Sequence, residues 1–201
     1  MVDTEGRTID TLAHATTGPD GRFSTTVSAP ERGLYTLTVW GRRGRERLAT
    51  TDYVVAAADS ASLEATFPLE GRRLQVRSRE NSALAAYQNT LAQHRRALVD
   101  EVRSEAYDST ALARRIRQTS SVLWSLQKAF PDTYASQLAA AESLSLLAGW
   151  NDSLVLARAR SIPPSTPRFV EVVPMGRRAA ARLYGQSAAL AFLDSAATRV
   201  A

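Results

Sequence analysis

Few residues in this chain are equipped for chemistry. His14 and His94 are its only histidines, the one side-chain type whose ordinary titration falls near neutral pH. There is no cysteine, which removes thiolate nucleophiles, thiolate metal ligands, disulfides and CxxC exchange together. The many serines and aspartates suffice on paper for a Ser/His/Asp triad. No G-x-S-x-G elbow, however, presents a serine on the strand-to-helix turn that such a nucleophile uses. His14 has no companion at metal-ligand spacing, so no zinc site is expected. His94 falls on an apolar stripe between Leu91 and Leu98, the setting of a structural histidine. A hydrolase would need it exposed in a pocket beside a serine or an acid. Asp100 and Glu101, ahead of Arg103, read as a solvated helix face. The glycine pairs Gly18/Gly21 and Gly41/Gly44 belong to hairpin turns and lack the strand-to-helix context of a phosphate-binding loop. No catalytic residue, cofactor or metal is expected, and the reading leans away from an enzyme.

Two polar clusters remain. The turn at 41–44 gathers Arg42, Arg43, Arg45 and Arg47. With Trp40 and Tyr53 beside them, these could form a stacking, cationic surface for single-stranded nucleic acid. The alternative is an ordinary hairpin tip, where arginines are fully solvated. The second cluster is VRSRENSALAAYQ, residues 76–88, with Ser78, Glu80 and Asn81. Here Ser78 or Asn81 can cap a helix start, and Glu80 suits the positive end of its dipole. This cluster reads as a structural junction.

The elements that must position these residues follow from periodicity. Gly18-Pro19-Asp20-Gly21 is turn chemistry and predicts a hairpin between strands near 8–16 and 22–28. Leu34–Trp40 alternates, with Tyr35, Leu37 and Val39 on one face and Leu34, Thr36, Thr38 and Trp40 on the other. Further strands are expected at 46–55, 62–67 and 72–77, the last two joined by a turn at Glu70-Gly71. Then the period changes. Leu84, Tyr87, Leu91, His94, Leu98 and Val102 make one helical stripe; Leu112, Ile116, Thr119, Leu123, Leu126 and Phe130 make a second. The polar break between them, capped by Asp108 or Ser109, predicts two antiparallel helices packed stripe to stripe. Pro131 ends the second. Asp132 or Thr133 opens a third, and Asn151 or Asp152 a fourth. FVEVV, 169–173, reads as a strand or as an extended lead-in to a helical pair around Gly185.

A chain of 201 residues, 44% hydrophobic and 22% charged, can bury one core or two small ones. No apolar run approaches the ~20 residues of a membrane span, and the first residues carry no targeting signal. The net charge is +5, but Lys128 is the single lysine and the arginines are interspersed with acids. That spread favours a solvated surface over a nucleic-acid face, which should concentrate its charge.

The order of three motifs carries a resemblance. Asp20, Gly21 and Phe23 form a D-G-x-F turn; Gly33, Tyr35 and Leu37 form a G-x-Y-x-L strand; Ser78, Glu80 and Asn81 open a long helix. FPDTYASQL, 130–138, follows. Together, over residues 18–140, they resemble the N-terminal accessory region of TlpA-like, AhpC/TSA-type thiol–disulfide oxidoreductases of bacterial envelopes. The resemblance implies a small β-sandwich, a helical segment, a periplasmic or envelope-anchored location, and a protein partner or linked thioredoxin-like domain. It departs from the family in lacking CxxC and any thioredoxin-like βαβ pattern. It therefore implies an accessory region parted from its redox domain, or a relative without one.

The expectation is an α+β chain. Residues 1–77 form an N-terminal antiparallel β-sandwich, and 78–201 an all-helical domain with a long antiparallel hairpin over 79–130 and shorter helices over 133–201. The expected function is non-catalytic, accessory or partner-binding, with a nucleic-acid-binding module using the Arg42 to Arg47 hairpin as the alternative.

Overall fold

A computed structural model of the chain describes residues 11–41, 46–66, 74–103 and 108–200. Four strands precede six helices. They are β1 (Gly33–Trp40), β2 (Arg47–Val55), β3 (Ser62–Ala65), β4 (Leu74–Arg77), α1 (Arg79–Arg103), α2 (Ser109–Ala129), α3 (Tyr134–Leu147), α4 (Asp152–Ser161), α5 (Phe169–Tyr184) and α6 (Gln186–Val200). The fold is α+β, with two small antiparallel sheets, β1-β2 and β3-β4. In the first, Leu34 faces Val54, Thr36 faces Asp52 and Thr38 faces Thr50; a bulge follows Val39. In the second, Leu63 faces Val76.

The expected hairpin around Gly18 forms its turn but, over the described residues 11–17 and 22–30, not its strands; residues 8–10 of the first lie outside the described residues. The Gly18 amide donates to the Arg22 carbonyl and the Gly21 amide to the Gly18 carbonyl. Gly21 takes the left-handed conformation that makes glycine suitable there. Residues 11–17 and 22–30 nevertheless carry no strand. Their alternation sets no apolar face against a core, since almost all of these side chains are exposed, and an isolated two-stranded ribbon is marginal in water.

Helices α2, α3 and α4 begin where capping chemistry places them. Asp108 accepts from the amides of Thr110 and Ala111, Thr133 from Ser136 and Asn151 from Leu154. The extended option for 169–173 is corrected: these residues are the first turns of α5. Phe169 and Val172 face inward on a helical spacing. Burial against α3, α4 and α6 therefore overrides the β preference of a Val-rich run.

Most of the core is helical. Leu144, Leu147, Val155, Ile162 and Val172, all 1% exposed or less, centre the main cluster. Leu123, Leu126 and Ala139 join α2 to α3. A third cluster couples the β1-β2 sheet to the helices: Val54, Ala83, Leu84 and Ala135, flanked by Tyr87, Phe130 and Tyr134. Val54 is the one fully buried strand residue among those described. The β1-β2 ribbon therefore reaches the core through a single side chain.

Candidate functional site

The junction cluster lies where β2, α1 and α3 meet. Ser78 is the cap of α1, its Oγ accepting from the Asn81 amide at 3.1 Å. Asn81 does something else with its side chain. Its Oδ1 accepts from the Val54 amide at 2.9 Å, and its Nδ2 donates to the Val54 carbonyl at 3.2 Å and to Ser78 Oγ at 3.0 Å. The carboxamide thus takes the place of a neighbouring strand, satisfying both polar groups of a buried residue on the edge of β2.

Glu80 reaches further. Its Oε2 accepts from the backbone amide of Tyr134, the first residue of α3, at 2.9 Å. Its Oε1 pairs with the Arg32 guanidinium, which also donates to the Asp132 carbonyl. One buried carboxylate therefore serves two helix N-termini, where the dipoles favour negative charge. Arg79 adds a bond from its guanidinium to the Pro131 carbonyl at 2.7 Å. Ser78, Glu80 and Asn81 consequently join three segments far apart in sequence, and none of their polar groups is left to act on a substrate.

Beside this seam opens a cleft of about 450 Å³ lined by Glu31, Arg32, Tyr134, Gln137, Ser165 and Arg168, among others. Its two arginines are already neutralised. Arg32 holds Glu80. Arg168, which precedes α5 in the left-handed region, grips Glu171 through Nε at 2.7 Å and Glu142 at 2.9 Å. Those bonds push its pKa up and hold Glu171 below the usual carboxylate range. The lining also offers the Tyr134 and Ser165 hydroxyls, the Gln137 amide and the Glu31 carboxylate.

His94 is 7% exposed between α1 and α2, its Nδ1 3.0 Å from Thr119 Oγ1. Burial lowers its pKa and nearby Arg115 lowers it further. An enclosed, neutral imidazole with a threonine partner removes the hydrolase reading. His14 is exposed; among the described residues no three His, Cys, Asp or Glu side chains cluster to hold a metal.

Of the basic hairpin, Arg42, Arg43 and Arg45 lie outside the described residues. Arg47 is exposed and stands directly across from Trp40, which is 42% exposed. Tyr53 lies further along β2, opposite Tyr35.

The sequence reading missed three residues. Arg32 and Arg168 sit in loops, and Glu80 and Glu142, which they hold, are distant in the chain. Arg158, 7% exposed, donates to Ser120 Oγ at 2.6 Å and lies over the Trp124 ring at 4.7 Å. The one available signal for it was an arginine between Val155 and Ile162, on the buried side of a short helix.

Among the described residues no helix is long and apolar enough to cross a membrane. Set against protein-family models, curated proteins and solved structures, the chain matches none of them.

Proposed function

We propose that this chain is a non-catalytic accessory region that carries a small β unit in a fixed attitude on a helical unit, so that a partner protein or a linked domain is positioned. The supporting observation is the seam. Asn81 and Glu80 fasten the backbone of β2 and of α3 to the start of α1 through buried hydrogen bonds. A joint of that kind resists hinge motion, because opening it strands buried polar groups.

On this reading the β1-β2 and β3-β4 ribbons belong to an antiparallel sandwich over 1–77. In the same reading α1 and α2 form a long antiparallel hairpin within a helical domain over 78–201. The proposed setting is the bacterial periplasm or envelope, and the proposed partner a thioredoxin-like domain, in trans or covalently linked. The motif order around Asp20, Tyr35 and Asn81 supports this. The experiment is a thiol-reductase assay on this chain alone and with a thioredoxin-fold reductase. The chain by itself should read as buffer and should shift the reductase's amide resonances on mixing. Intrinsic reductase turnover, or unshifted resonances, would contradict the proposal.

A second reading draws on the Trp40–Arg47 pair, an exposed indole and guanidinium side by side on adjacent strands. That surface suits single-stranded nucleic acid. It predicts binding to an oligonucleotide that weakens steeply with salt and is lost with Trp40→Ala. A flat titration at low salt dismisses it.

A further inference from the structure

The two edges of the β1-β2 ribbon are treated differently. In an antiparallel pair, the amide and carbonyl of one residue point to the same side, and successive residues alternate sides. Val54 directs both of its groups away from β1, to Asn81. The register then assigns the outward direction on β1 to Leu34, Thr36 and Thr38, which oppose Val54, Asp52 and Thr50. The β2 edge is closed at Val54 by Asn81, and further along Gln88 of α1 covers it by donating to the Asp52 carboxylate at 2.8 Å. Among the described residues the β1 edge is unpaired. No hydrogen bond from any described residue reaches the outward groups of Leu34, Thr36 or Thr38.

Proteins normally blunt such an edge with charge, proline or a bulge placed within it. GLYTLTVW has neither a charge nor a proline, and its bulge comes only after Val39. Its residues are strong strand formers. Leu34 and Trp40 at its two ends are 44% and 42% exposed.

We propose that β1 pairs with β1 of a second copy of this chain, antiparallel, about a two-fold axis through Thr36. In that register Thr36 faces Thr36, Leu34 faces Thr38, and Tyr35 faces Leu37 of the second copy. Each outward residue exchanges both backbone hydrogen bonds with its opposite number. Threonine–threonine and aromatic–aliphatic pairs are favourable across strands, and no like charges meet. At each end Trp40 faces Arg32, whose guanidinium is already held by Glu80. The product is a four-stranded sheet, β2-β1-β1-β2. Its outer edges are the β2 edges that Asn81 and Gln88 guard, so the assembly stops at two copies and does not grow into a filament. A short strand seam with few buried side chains sets the affinity in the micromolar range. The proposal is independent of the accessory role.

Sedimentation velocity with charge-swapped variants tests it. Thr36 is exposed and its backbone points away from β2, so substitution there leaves the ribbon intact, which an unchanged circular-dichroism melt verifies. Wild type should sediment as a dimer at about 100 µM, within reach of a micromolar dissociation constant. Thr36→Lys alone and Thr36→Glu alone should each be monomeric, because like charges then meet on the axis. An equimolar mixture of the two should recover the dimer. A wild type that stays monomeric overturns the proposal. So does a dimer indifferent to both charges, or a mixture that does not reassociate.

Discussion

Asn81 holds Val54 by both ends of its peptide polarity: the Val54 amide donates to Oδ1 at 2.9 Å, and Nδ2 donates to the Val54 carbonyl at 3.2 Å. Val54 is fully buried and Asn81 is 4% exposed. Water therefore cannot replace the carboxamide if it is removed. Asn81→Ala should destabilise the protein by about 2–4 kcal/mol, because two buried backbone groups lose their partners at once. Asn81→Asp keeps an acceptor for the amide but sets a carboxylate against a carbonyl. It should be at least as damaging at neutral pH and should improve on acidification, when the protonated acid can donate. Urea denaturation of both variants across pH checks this; a loss under 1 kcal/mol for Asn81→Ala (about the value of one ordinary hydrogen bond) would count against it.

His94 makes the stability of the helical unit depend on pH. Its pKa lies below the ordinary 6.5 because burial and Arg115 both disfavour the imidazolium. Between the folded and unfolded values the unfolded chain binds the extra proton. The contribution is therefore complete above about pH 6.5 and is lost as pH falls below it, with a slope of up to about 1.4 kcal/mol per pH unit. Arg115 acts on the ring through its charge and Thr119 through its hydrogen bond. The urea midpoint of the wild type should fall between pH 7 and pH 5, and that of His94→Gln should fall less. Parallel curves would refute the assignment.

Gly176 of α5 packs against the ring of Phe192 in α6. A Cβ there would stand 2.7 and 2.8 Å from the two Cε atoms of Phe192 and closer still to Cζ. Phe192 is 4% exposed and has little room to withdraw. Gly176→Ala should cost about 1–3 kcal/mol from overpacking, despite the roughly 1 kcal/mol that alanine gains in a helix interior. Pairing it with Phe192→Leu should recover part of that loss. A double-mutant cycle measures the coupling, and additivity would show that the two side chains do not conflict.

Arg158 is a buried cation among the helices, supported by Ser120 and the face of Trp124. Burial alone lowers its pKa. Replacing such a charge by an apolar side chain of similar length is often close to neutral, whereas removing its support is not. Arg158→Met should change stability by under about 1 kcal/mol, and Trp124→Leu should cost about 2 kcal/mol or more. Thermal melts compare the two, and the reverse order would contradict this account of the site.

These sites also show what can be read from residues alone. The stripe Leu84 to Val102 falls in α1 and Leu112 to Leu126 in α2, with Phe130 at its C-cap, and the caps Asp108, Thr133 and Asn151 all bond as capping residues. Such signals are local, lying within one or two helical turns. FVEVV was ambiguous because a Val-rich run reads either way until its burial partners are known, and those come from α3, α4 and α6. The strands expected near 8–16 and 22–28 were read from turn chemistry. A turn does not supply the buried face that a ribbon needs. Capping described Ser78, and the helix dipole described Glu80 in the first turn of α1, but neither anticipated the distant partners. Asn81 bonds 27 residues back and Glu80 bonds 54 residues ahead, and no spacing rule reaches that far. Arg42, Arg43 and Arg45 of the basic hairpin lie outside the described residues.

The seam is tested most directly by native-state hydrogen exchange at the Val54 amide, whose hydrogen bond is to the Asn81 side chain. If the β unit is fastened to the helices as described, this amide should exchange only on global unfolding, as slowly as the centre of α3. Asn81→Ala should accelerate it selectively. Exchange of the Val54 amide in the wild type as fast as that of an exposed loop would contradict the account.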